Sequence, residues 1–221
     1  MTREEKIEVI ARRTAMELHN GDVVNLGIGI PTYGSNYLPE GVHVILHAEL
    51  GNVGAGPAPE PGCEDYYIAD ASGHPSSAAP GNSFVNSATS FALIRGGHVD
   101  ATVLGALQVD EKGNIANWIV PGKVMPGMGG AMDLVVGAKR VIAAMEHTAK
   151  GTVKLMKKCT LPLTATSCVD RVITEMAVID ITDNGMVLAE YNPAFTIDEI
   201  QAATEAELII TENTRPMITE V

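Results

Sequence analysis

Aromatic residues are scarce in this 221-residue chain, at 4 %. That removes the stacking surface on which single-stranded nucleic acid is usually held. Positive charge is scarce as well: 15 Lys and Arg stand against 27 Asp and Glu, a formal net charge of −12. The densest basic stretch, Lys154 to Lys158, is short and mixed with apolar residues, so no nucleic-acid partner is expected. Cysteine is limited to Cys63, Cys159 and Cys168, an odd number without CxxC spacing. This points to a reducing compartment and leaves neither a disulfide framework nor a zinc motif. The six histidines are scattered. His43 and His47 are four apart, but on a strand that separation is roughly 13 Å, so no metal site is expected. No run reaches the roughly 18 apolar residues of a membrane helix. The start, Thr2-Arg3-Glu4-Glu5-Lys6, lacks the apolar core of a signal peptide. The expectations are a cytoplasmic location and no membrane partner.

The apolar fraction of 46 % and charged fraction of 19 % suit a globular chain. No repeat or linker divides it, so residues 1–221 are read as one domain. Thr2 and Glu5 form a capping box for a first helix, with Gly21 as its expected C-terminal stop. Val23 to Leu26 reads as a buried strand running into the turn Gly27-Ile28-Gly29, and Pro31 opens a short helix over 31–37. The apolar run 42–47 is a strand that ends at Glu49. Residues 51–81, rich in Gly, Pro, Ser and Ala, read as a long functional loop. A helix follows over 87–93, then strands over 101–109 and 115–120. A second glycine loop at 122–130 leads into a helix at 131–137. Strands are expected near 140–146, 153–158, 172–181, 186–190 and 207–211, with a helix at 197–204 capped by Thr196. Alternating helices and apolar strands give an α/β fold: a mainly parallel open sheet, helices on its faces, and some mixed or antiparallel strands.

Three places have chemical potential. Asn25-Leu26-Gly27-Ile28-Gly29 is a GxG turn after a strand, but it lacks the third glycine of a dinucleotide fingerprint. It reads either as a structural turn or as a place where a ligand approaches the backbone. Gly127-Met128-Gly129-Gly130, before an apolar helix, could aim amides at an oxyanion or simply pack tightly. Glu49 stands where open α/β sheets present reactive groups, at the carboxyl end of a strand. By position alone it is one acid among 27.

Four long segments then combine: Asn25 to Thr32, Ser90 to Asp100, Leu104 to Asp110, and Ala116 to Lys123 followed by Gly127 to Leu134. Together they resemble the β subunit of 3-oxoacid-type (family I) CoA-transferases, with the nearest look to bacterial acetate or butyrate:acetoacetate enzymes. The resemblance runs from the first helix to about residue 211. It implies a catalytic glutamate in a Ser-Glu-Asn-Gly motif, matched here by Ala48-Glu49-Leu50-Gly51. The glutamate and glycine are kept; Ala48 and Leu50 replace serine and asparagine. Ala69 to Pro75 also departs from the family wording.

The resemblance implies CoA transfer between an acyl-CoA and a short-chain acid of acetoacetate, acetate or butyrate type, through a glutamyl-CoA thioester on Glu49. Gly129, Gly130, Asn25, Gly27 and Gly29 are the expected oxyanion and CoA-binding positions, and Ala48, Leu50 and Gly51 the expected pocket. CoA enters as a substrate, with no tightly bound cofactor. A separate α subunit is implied, in a hetero-oligomer of α2β2 or larger. The alternative is a catalytically silent or regulatory partner subunit of the same fold.

Overall fold

The computed structural model describes residues 1–70, 74–122 and 127–218. Ala71 to Gly73, within the segment that departs from the family wording, and Lys123 to Pro126, within the second glycine loop, lie outside the described residues.

In chain order the strands are β1 (Val23–Leu26), β2 (Ile45–Ala48), β3 (Asn52–Gly56), β4 (Ser77–Phe84), β5 (Ala101–Leu104), β6 (Gln108–Asp110), β7 (Ile115–Ala116) and β8 (Val141–Ala144). They continue with β9 (Thr148–Ala149), β10 (Thr152–Val153), β11 (Leu155–Met156), β12 (Arg171–Ile173), β13 (Ala177–Thr182), β14 (Gly185–Tyr191) and β15 (Leu208–Pro216). Ten of them form one sheet in the order β15-β14-β13-β12-β8-β5-β1-β2-β3-β4. From β12 to β2 every neighbour is parallel. Antiparallel pairs extend both flanks, and β15 runs parallel to β14 at one edge. This is the mixed, centrally parallel α/β sheet that the sequence predicts. Residues β6, β7 and β11 form a separate small sheet.

Period-two burial divides the core between the two sheet faces. Val24, Ala101, Val103, Ile142, Ala144 and Ile173 meet Ile10 of helix α1 (Arg3–Ala15) and Leu18 beyond it. The alternate residues Leu104, Val141, Ala143 and Val172 meet the other helices. These are α2 (Ser87–Arg95) with Ile94, α3 (Ala131–Gly137) with Leu134 and Val135, and α4 (Ile197–Ala202) with Ile200. Each Val, Leu or Ile side chain among them, fully buried, contributes roughly 2 kcal/mol, and each alanine methyl less. Ion pairs fasten α1 to its face: Arg13 reaches Glu190 of β14 at 2.6 Å, and Glu17 accepts from Arg13 at 2.7 Å and Arg171 at 2.6 Å. Among the described residues no helix is long and apolar enough to cross a membrane.

Several sequence expectations need correction. The first helix ends at Ala15, and Gly21, at φ 88°, serves the turn into β1 instead. The supposed loop 51–81 contains β3 and the start of β4, because Asn52–Gly56 pairs with both neighbours despite three residues, Gly54, Ala55 and Gly56, of low strand preference. The run 101–109 breaks between β5 and β6, which leaves for the small sheet. The run 172–181 is two strands, β12 and β13, paired antiparallel across a turn at Thr174. The expected strand 115–120 stops at Ala116.

Candidate active site

The short hairpin between β2 and β3 carries Glu49. Ala48 pairs with Asn52, so Glu49, Leu50 and Gly51 are its three loop residues, closed by the Gly51 amide donating to the Ala48 carbonyl at 2.9 Å. A glycine at positive φ in the last loop position is the usual chemistry of such a hairpin. Here it is obligatory: Gly51 has φ 115°, and a Cβ would lie 2.0 Å from the Val85 carbonyl oxygen. The loop therefore fixes Glu49 at the carboxyl end of the central parallel strands.

Three elements converge on that side chain. Asn25, in the last half of β1, is 1 % exposed. Its Nδ2 donates to the His47 carbonyl at 2.9 Å and to Glu49 Oε2 at 3.2 Å. A buried amide is tolerable because both donors are used. The turn before α3 supplies the second wall. A Cβ on Gly129 would stand 3.8 Å from Glu49 Oε1, and one on Gly130 would stand 3.2 Å from Glu49 Cγ and 3.4 Å from Phe91 Cζ. The carboxylate thus lies against bare backbone. The Met128 and Gly130 carbonyls accept bonds within that turn, while among the described residues the Gly129 and Gly130 amides donate to nothing. The third wall is α2, through Phe91 and the fully buried Ser90.

Beneath Glu49 runs a polar row. Asn25 is in direct register with Thr102 of β5, and on its other side it bonds to the His47 residue of β2. Thr102, Asn25 and His47 are all buried. The row is incompletely paired: Thr102 Oγ1 and His47 Nδ1 have no partner among the described residues. His47 Nε2 is 3.0 Å from Ser90 Oγ. Burial lowers the His47 pKa below the ordinary imidazole value, against the opposing pull of Glu49, so the ring is neutral at pH 7.

A second buried histidine, His147, sits at the carboxyl end of the same sheet beyond β8. Its Nδ1 is 2.9 Å from Thr174 Oγ1, and its Nε2 is 3.0 Å from Thr204 Oγ1. The Thr204 hydroxyl donates to the Ile200 carbonyl, so it accepts from Nε2–H. Thr174 Oγ1 accepts from the Met176 and Ala177 amides and also lies 3.1 Å from the Ala177 carbonyl, so its one proton is shared between that carbonyl and Nδ1. Burial, against the attraction of Glu175, pushes this pKa down to about 4. Among the described residues no group of three or more His, Cys, Asp and Glu is placed to hold a metal.

Of the sequence-derived positions, Asn25, Ala48, Leu50, Gly51, Gly129 and Gly130 gather around Glu49. Leu50 directs 64 % of its surface to solvent beside it. Gly27 works elsewhere: its amide donates to the Val103 carbonyl at 2.8 Å, and a Cβ would meet Leu104 at 3.1 Å. Gly29, at φ 91°, opens the 3-10 helix Ile30–Tyr37. His47, Ser90 and Phe91 were missed as site residues. Strand alternation alone places His47 on the same side as Glu49, two residues on; nothing local links either to Ser90.

Residues 7–203 match the family described as Coenzyme A transferase. The chain is 53 % identical over 211 residues to the acetate CoA-transferase subunit beta of Haemophilus influenzae, covering 95 % of this chain and 94 % of that one. It is 45 % identical over 211 residues to human mitochondrial succinyl-CoA:3-ketoacid coenzyme A transferase 2, covering 94 % of this chain but only 41 % of the human protein. The crystal structure of the acyl-CoA transferase YdiF apoenzyme from Escherichia coli O157:H7 superimposes with a TM-score of 0.76 at 24 % identity, over 97 % of this chain and 43 % of that one. At that identity the superposition speaks for the fold.

Proposed function

The chain belongs to the coenzyme A transferase family, and from that premise we propose that it is a β subunit carrying the covalent nucleophile, Glu49. The reaction moves CoA between an acyl-CoA and a short-chain acid of acetate, acetoacetate or butyrate type. The observation that carries this reading is the Glu49 carboxylate on its hairpin tip, held by Asn25 and lying against the Gly129–Gly130 backbone.

Glu49 attacks the thioester carbonyl, the C–S bond breaks, and CoA leaves as a thiolate. The product is a mixed acyl-glutamyl anhydride. The thiolate then attacks the glutamyl carbonyl, the acyl group departs as a free carboxylate, and CoA is left on Glu49 as a thioester. A second carboxylate reverses both steps and leaves as the new acyl-CoA. Covalent catalysis divides one difficult exchange into easier ones. Each addition puts negative charge on a carbonyl oxygen, and the amides of Gly129 and Gly130, which donate to nothing among the described residues, are the donors assigned to it. One such donor is worth roughly 3 kcal/mol. Phe91 and the packed glycine turn keep water from the anhydride.

The Haemophilus relative is named a subunit beta, and this chain spans under half of the human relative. Both support an α subunit that completes the site, in an assembly of α2β2 or larger. Arg13, Arg140, Arg171 and Arg215 are all bonded to carboxylates of this chain, and with a net charge of −12 this supports assigning much of the CoA phosphate recognition to that partner. CoA is substrate here, and no tightly bound cofactor is invoked.

Trapping tests the reading. The chain is co-expressed with its α subunit, given acyl-CoA, reduced with borohydride and mapped by mass spectrometry. The expected adduct lies on the peptide containing Glu49. An unmodified Glu49 in a complex that binds and turns over acyl-CoA overturns the assignment.

A further inference from the structure

We infer that the buried His47–Ser90 pair is a positioning device for Glu49, holding the end of β2 so that the carboxylate meets the acyl carbon in line. The inference rests on the reading of Glu49 as nucleophile.

The two residues are 43 positions apart in the chain, on β2 and α2, and both are buried. Their contact is aimed at the peptide groups that precede Glu49. Ser90 Oγ lies 3.0 Å from His47 Nε2 and 3.5 Å from the Ala48 carbonyl oxygen. One proton arrangement serves both contacts: Nε2–H donates to the serine oxygen, and the serine proton points to Ala48. The carbonyl one residue earlier, that of His47, is held by Asn25 Nδ2, which also holds Glu49 Oε2. The last two peptide groups before Glu49 are therefore tied from α2 and from β1.

This arrangement has a cost that a purely structural histidine avoids. His47 Nδ1 is buried without a partner among the described residues, and a buried polar atom left unpaired is unfavourable. His147, by contrast, has a threonine hydroxyl within 3.0 Å of each ring nitrogen. The imidazole is retained at position 47 although its second nitrogen is orphaned. Its useful atom is Nε2, and the reach of Nε2 to Ser90 selects the side chain. The charge state is not involved, since the neutral ring makes the bond. The role is geometric, and misplacement of a reacting group by about 1 Å costs about 100-fold in rate.

The test uses the complex with the α subunit. Single-turnover formation of the Glu49–CoA adduct, the KM for acyl-CoA and the melting temperature are measured for the wild type, His47→Leu, His47→Gln and Ser90→Ala. His47→Leu and Ser90→Ala are expected to slow adduct formation by about 10- to 100-fold, with KM changed by less than about threefold. Glutamine carries an Nε2 that reaches the same hydroxyl, so His47→Gln recovers most of the rate lost in His47→Leu. Wild-type adduct rates in His47→Leu and Ser90→Ala overturn the inference and leave the Glu49 assignment standing. Rates that follow melting temperature alone, without recovery in His47→Gln, also overturn it. If His47→Leu fails to fold, Ser90→Ala decides alone, because it removes one oxygen and no packing volume beyond it. An active wild-type complex with no adduct on Glu49 removes the nucleophile itself, a result distinct from either.

Discussion

Two buried histidines stand at the carboxyl end of one parallel sheet, and they are treated in opposite ways. Around His147 the amide and each ring nitrogen lie within hydrogen-bond distance of a partner. Both ring nitrogens meet threonine hydroxyls, its amide donates to Glu175 at 2.8 Å, and Glu175 is paired with Lys6 at 2.8 Å. Around His47 pairing is left open: among the described residues Nδ1 and the hydroxyl of Thr102, across β1, have no partner, and the carboxylate at the end of the row faces bare glycine backbone. Complete pairing marks a joint between elements. Under the proposed reading, the unpaired atoms of His47 and Thr102 lie in the row beneath a carboxylate that substrate and the α subunit complete.

The comparison breaks most sharply at Glu49. Glu49→Gln is expected to reduce transfer by ~10⁴-fold or more while leaving the melting temperature near that of the wild type, as steady-state assays and calorimetry of the complex would show. Retained transfer would move the reactive end of the sheet elsewhere.

The His147 joint predicts an acid limit on stability. Its folded pKa of about 4 lies below the ordinary 6.5, so between those values the unfolded chain binds a proton that the folded chain refuses. Stability is therefore full above pH 6.5 and falls as the pH drops towards 4, by about 3 kcal/mol from this group. Urea unfolding of wild type and His147→Gln at pH 7 and pH 4.5 measures it; the variant loses less between the two. The corresponding slope removed by His47→Gln has the same sign and is smaller.

Gly130→Ala probes the open side alone. A methyl 3.2 Å from Glu49 Cγ and 3.4 Å from Phe91 displaces the carboxylate, and Gly130 has an ordinary φ of −81°, so the backbone is unstrained. The expected result is about a tenfold fall in kcat with little change in denaturation midpoint. Thr102→Val is the gentlest intervention. The hydroxyl it removes has no partner among the described residues, so the change stays within about 1 kcal/mol and in the stabilising direction, read by chemical denaturation.

Much of this contrast was legible in local sequence. The capping box at Thr2, the cap at Thr196, the strand running to Glu49 and the glycine turn before α3 all rest on near-neighbour rules, and the structure contains each of them. The β3 strand was not legible, because Gly54 and Gly56 carry no strand preference and pairing with β2 and β4 supplies the structure. The breaks in the runs 101–109 and 172–181 escaped for the opposite reason: apolar continuity hid turns that only tertiary pairing demands. Glu49 was visible as a position, and its surroundings were not. Asn25 to Glu49, His47 to Ser90, and Glu49 to Gly130 are contacts between distant segments, which no periodicity reports.

That distance in sequence governs how the site comes into being. Strand β1 lies between β2 and β5 and needs both long crossovers completed before its edges are paired, and closing such loops is slow relative to helix formation. The bond from Asn25, the wall at Gly130 and the tie from Ser90 form together once those crossovers are in place. Regained transfer after dilution from denaturant therefore lags regained helical signal, and catalytic competence serves as a clock for the last step of folding.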